Sequence, residues 1–106
     1  MRIFPAIAVL MTGTATAMPA RADSVTVFQQ GKKFSQGEVT VKPGETVTFT
    51  NQDPVTHNVY SATPGMEFDL KTQKPGASTV ITFDHAGTAE VHCAIHPQMK
   101  MTVIVQ

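Results

Sequence analysis

The chain has 106 residues with eight basic and eight acidic side chains, enough for one small domain of near-zero net charge. No basic run marks a nucleic-acid surface, and a single cysteine, Cys93, excludes an internal disulfide. Residues 1–22 read as a secretory signal peptide. Arg2 gives a minimal positive start, Ile3 to Ala17 is apolar or small, and the small-x-small sites Ala15-Thr16-Ala17 and Ala20-Arg21-Ala22 follow. Cleavage after Ala22 leaves a mature domain, residues 23–106, with six lysines against eight acids and a net charge of −2. Such a location is the periplasm, where a free exposed thiol is a liability. Cys93 is therefore buried, paired with another chain, or bound to metal.

In chain order, Ser24 to Phe28 reads as a strand, Gln29-Gln30-Gly31 as a break, and Lys32 to Ser35 as a short edge segment. Val39 and Val41 alternate with polar residues, as do Val47 and Phe49, on either side of a Pro43-Gly44 turn. Local pattern leaves open whether these two strands pair with each other or lie in opposite sheets. Asn51 to Pro54 is a loop, Thr56 to Tyr60 is extended, and Ser61 to Gly65 is a loop. Phe68 to Leu70 is short, and Lys71 to Ala77 is a loop carrying Pro75-Gly76. Ser78–Phe83, Thr88–Cys93 and Lys100–Val105 are strands, with a turn at Asp84 to Gly87. No helical period of useful length is present after the leader. About seven short strands with frequent turns predict an all-β sandwich or barrel.

The chemistry gathers in Val91 to Met101. Cys93, His96 and Met99 follow one another at intervals of three. Thiolate, imidazole and thioether are soft or borderline ligands, and a His2Cys set with a weak axial Met suits copper. The second imidazole is expected from His57, at the start of an extended segment, with the side-chain amide of Asn58 as loop support.

His57-Asn58-Val59, together with Cys93-Ala94-Ile95-His96-Pro97-Gln98-Met99, resembles the small blue copper proteins of the plastocyanin and azurin (cupredoxin) superfamily. Amicyanins look nearest, then pseudoazurins. The likeness includes Val41 to Phe49 and Phe83 to Thr88, and so extends over the mature chain. It implies a two-sheet Greek-key cupredoxin sandwich, one type 1 copper ion held by His57, Cys93, His96 and Met99, and periplasmic electron transfer. The implied partners are redox proteins such as a c-type cytochrome and a periplasmic dehydrogenase. They would dock near His96 on a patch of Ala94, Ile95, Pro97, Pro64 and Met66, with the carrier itself a monomer and no enzyme.

Met101 is the rival axial ligand, since plastocyanins and pseudoazurins place their Met five residues after the His. Its parity with Val103 and Val105 makes it a core residue instead. Strand alternation turns His92 to the face opposite Cys93, and His85 falls in a solvated turn. Ile95 stands where these families usually carry proline. Its N–H, absent from proline, is expected to bond the Cys93 sulfur and raise the reduction potential. A copper-delivery protein would use the same residues without a redox partner. A zinc site would use Cys and two His and give Met99 no part.

Overall fold

The computed structural model describes residues 24–106; the predicted leader and its cleavage site lie outside them. Nine strands follow in order: β1 Ser24–Gln30, β2 Lys33–Phe34, β3 Glu38–Val41, β4 Glu45–Asn51, β5 Tyr60–Ser61, β6 Phe68–Asp69, β7 Ser78–Phe83, β8 Gly87–His92 and β9 Lys100–Val105. They form a four-stranded sheet, β2-β1-β4-β7, and a five-stranded sheet, β3-β9-β8-β5-β6. The two-sheet all-β expectation holds, with nine strands in place of about seven. The excess is in two-residue pieces such as β2, too short to register as alternation.

The strands on either side of Pro43-Gly44 lie in opposite sheets. β3 pairs in parallel with β9, and β4 in parallel with β1. The Pro-Gly corner is thus a sheet-to-sheet crossing, with Gly44 at φ +90° where a side chain would be strained. Both sheets are mixed. Burying one face of each drives the assembly: Val27, Val47 and Phe49 from one sheet meet Val39, Val41, Ala89, Val91, Met101, Val103 and Val105 from the other. Phe68 of the second sheet bridges the layers, its ring 6.3 Å from Phe49 and 5.8 Å from Phe83.

The extended segment expected at Thr56 to Tyr60 shrinks to Tyr60–Ser61. His57 instead makes an isolated antiparallel bridge to Gln73, through His57 N–H to Gln73 O (3.0 Å) and Gln73 N–H to His57 O (2.7 Å). After Asn51, which ends β4 paired with Gln29, residues 52–56 add no further ladder. They leave as a loop, and the loop carrying Gln73 folds back to satisfy His57.

Met101 is buried within the apolar cluster, as its parity predicts. Met101→Ala should cost about 2–5 kcal/mol of stability in chemical denaturation while leaving the metal-binding spectrum of the protein unchanged. A changed spectrum would place Met101 at the centre instead.

Candidate metal centre

One end of the sandwich gathers two loops. The first runs from the end of β4 to β5 and carries His57; the second joins β8 to β9 and carries Cys93, His96 and Met99. β8 delivers Cys93 with its side chain inward, because Ala89, Val91 and Cys93 share one face. The chain then turns tightly, with Met99 N–H donating to His96 O (2.9 Å) and Cys93 N–H to Met99 O (3.2 Å).

The result is a compact trio. His57 Nδ1 and His96 Nδ1 are 3.1 Å apart, and Cys93 Sγ is 3.9 Å from each. A triangle with those edges has a point in its plane about 2.1 Å from all three atoms, close to ordinary metal–nitrogen and metal–sulfur bond lengths of roughly 2.0–2.3 Å. The donors therefore fit one trigonally placed ion. They are the one cluster of His, Cys, Asp and Glu of this kind among the described residues. His57 and Cys93 are fully buried and His96 is half-buried. Met99 is also buried, at 1% exposure, but stands outside the apolar cluster that takes in Met101.

Asn58 locks the two loops together. Its backbone N–H donates to Cys93 Sγ at 3.3 Å, and its side-chain oxygen accepts Ala94 N–H at 3.1 Å. Its Nδ2 donates to Asp69 Oδ1 and to Lys71 O, both at 2.8 Å. The loop support expected of this side chain is present, and the contact to sulfur comes from its backbone besides. Ile95, in contrast, makes no bond to Cys93 Sγ. It lies 52% exposed at the bend, and the N–H donated to that sulfur is Asn58's. The expected rise in potential through Ile95 loses its structural basis.

Sequence reasoning passed over Asp53 as a loop residue. Its carboxylate lies 2.6 Å from His57 Nε2 and accepts Gly31 N–H (2.6 Å) and Lys32 N–H (2.9 Å). Burial pushes the Asp53 carboxyl up, but hydrogen bonds from His57, Lys32 and Gly31 outweigh it and hold the group below its ordinary 3.8. Asp69 is also held below 3.8, by Lys71 N–H first and Asn58 next. The carboxylate four residues before His57 was the available signal, but nothing local fixed which way it points.

His92 faces away from Cys93, 5.8 Å from the Tyr60 ring, and His85 is exposed. Met66 does not join the centre. Its sulfur sits against Gly87, which opens β8, whereas Cys93 follows that strand's end. Six residues of strand separate them, about 20 Å. Pro64 descends with Met66 beside His85 and Gly87. The loop leaving β5 runs antiparallel to β8 and so carries both residues away from the ligand end.

A two-sheet β-sandwich closing at one end over a His2Cys set with a nearby buried thioether is the architecture of a cupredoxin, an electron-transfer copper protein. The chain belongs to the plastocyanin/azurin family of copper-binding proteins, whose profile matches residues 21–106. It is 35% identical to amicyanin-alpha of Methylorubrum extorquens over 107 residues, covering 97% of this chain and 90% of that protein. It is 36% identical to amicyanin of Paracoccus denitrificans over 89 residues, covering 80% of this chain and 68% of that one. A solved amicyanin variant in its Cu(I) form superposes with a TM-score of 0.72 at 30% identity, over 78% of this chain and 82% of that chain.

Two outcomes follow from the loop geometry. Asn58→Ala removes three side-chain hydrogen bonds and should cost about 2–4 kcal/mol in denaturation of the metal-free protein. The two depressed carboxylates make stability fall with acidification. The unfolded chain takes up protons near 3.8 before the folded one does. Their contribution is therefore present above that pH and lost as pH drops through the lower folded values. Denaturation midpoints should thus decline steeply below about pH 4; midpoints that stay level there would contradict the assignment.

Proposed function

We propose that His57, Cys93, His96 and Met99 would hold one copper ion, through the two imidazole Nδ1 atoms, the thiolate and the thioether, a donor set that suits copper. The bound copper supplies the one-electron Cu(I)/Cu(II) couple, and the chain's own residues do the rest. Cys93 and His57 exclude water from the centre, being 1% and 0% exposed. His96 is the one member of the trio that reaches the surface, and so is the route by which an electron enters and leaves.

That exposure pattern carries the reading. Among the described residues three large apolar side chains are left exposed: Val55, Val80 and Ile95. Two of them lie within two residues of His57 and His96. Ile95, with Ala94 and Pro97, also exposed, leaves apolar side chains on both sides of His96 along the chain. A small apolar patch there suits brief encounters with redox proteins. We assign the chain as a periplasmic carrier, not an enzyme, acting as a monomer between partners such as a dehydrogenase and a c-type cytochrome. The secretory pattern of residues 1–22 supports the compartment. A delivery protein must release its ion, and ligands this deeply buried argue against ready exchange.

Adding Cu(II) to the metal-free protein should produce an intense thiolate-to-copper charge-transfer band with narrow EPR hyperfine splitting. A colourless or pale tetragonal product would overturn the assignment. Met99→Ala should keep copper and alter that spectrum. Ile95→Asp should keep the spectrum and slow electron exchange with a small c-type cytochrome roughly tenfold, since the patch becomes charged.

A further inference from the structure

We propose that Asp53 is the positioning residue of this centre: it fixes which nitrogen of His57 faces the copper and biases the couple toward Cu(II). The proposal rests on His57 being a ligand.

The geometry is specific. Asp53 is 6% exposed and its Oδ2 lies 2.6 Å from His57 Nε2, while the other ring nitrogen, Nδ1, joins the trio. A carboxylate only accepts, so Nε2 carries a proton, and in the neutral ring Nδ1 presents its lone pair. Without metal, His57 Nδ1 then accepts from His96 Nδ1–H across the 3.1 Å gap. The carboxylate itself is held in place from behind. Gly31 and Lys32 sit at φ +64° and +56°, which turns two successive backbone N–H groups onto its oxygens. Asp53 N–H donates to Asn51 Oδ1 at 2.9 Å, and Asn51 is anchored through Nδ2 to Val55 O and Gln73 O. Lys32, a residue without glycine's freedom, adopts the left-handed conformation where its amide meets this carboxylate.

Charge sets the direction of the bias. Among the described residues, His57 is the one basic side chain within salt-bridge distance of Asp53, and with Nδ1 bare its ring is neutral, so no cation cancels the carboxylate. Two backbone amides stabilise the carboxylate's charge but do not cancel it. When the centre takes an electron from a protein donor, it loses one unit of positive charge beside this anion. A buried anion one imidazole away opposes that loss, so Asp53 favours the oxidised state.

The test has two parts. In the metal-free wild type, ¹⁵N-resolved imidazole NMR at neutral pH should show His57 protonated on Nε2 and bare on Nδ1; a proton on Nδ1 overturns the proposal with no variant needed. In the copper-loaded protein, Asp53→Asn keeps an acceptor and removes the charge. It should retain the charge-transfer band and shift the Cu(I)/Cu(II) ratio at a fixed potential about tenfold toward Cu(I), a rise of about 59 mV for one electron. A shift under twofold, or toward Cu(II), overturns it. Asp53→Glu restores the charge and should return the potential toward wild type. The ligand assignment is checked separately: a charge-transfer band that survives unaltered in His57→Gly would refute His57 as a ligand, whereas Asp53 could fail its own test with that band still dependent on His57.

Discussion

The hydrogen bond from Asn58 N–H to Cys93 Sγ joins two loops across 35 residues of chain. Neither loop has a sheet of its own to hold it. The His57 loop leaves β4 and, among the described residues, its one β-bridge before β5 is between His57 and Gln73. The Cys93 loop is a turn between β8 and β9. The amide on sulfur, with the Asn58 side chain bonded to Ala94, Asp69 and Lys71, makes one body of them. Each neutral bond contributes only about 1 kcal/mol net. Their value lies in direction: they decide where Nδ1 and Sγ point before any ion arrives.

His57 is consequently held from two sides. Asn58, its neighbour, ties it to the thiolate loop. Asp53, four residues earlier, ties its outer nitrogen to the turn between β1 and β2. The two supports come from opposite sheets, so the ring is located by the sandwich as a whole and not by one flexible loop. The His96 ring has no such fixing among the described residues beyond its contact with His57 and Cys93. Rigid burial on one side and surface access on the other are what a carrier needs: little rearrangement on changing charge, and one edge that a partner can touch.

Much of this was legible from residues. The C-x2-H-x2-M spacing placed three ligand types on one loop, and strand parity separated Met99 from Met101, since alternation from Val105 back to Met101 stays in the core. The strands with clean alternation, such as Val39-Thr40-Val41, were visible at once. Other features depended on contacts distant in sequence. The crossing at Pro43-Gly44 follows from which strands accept β3 and β4 as partners, a choice no local pattern makes. Met66 belonged to the wrong end because the direction of the loop after β5 is set by its antiparallel run along β8. Asp53 was hidden for the same reason. A carboxylate in a polar loop is ordinarily solvated, and only the left-handed amides of Gly31 and Lys32, more than twenty residues earlier, bring this one inside. Ile95 went the other way: its N–H was free to bond, but the bend turned it outward.

The central claim is that the protein, through Asn58 and Asp53, sets the positions of His57 Nδ1 and Cys93 Sγ, so that the centre changes little with oxidation state. Copper K-edge EXAFS of the oxidised and reduced protein tests it most directly. The account predicts two nitrogens and one short sulfur in both states, with metal–ligand distances shifting by no more than about 0.1 Å against the usual bond lengths. Loss of a nitrogen, or replacement of the short sulfur by oxygen on changing state, would contradict it.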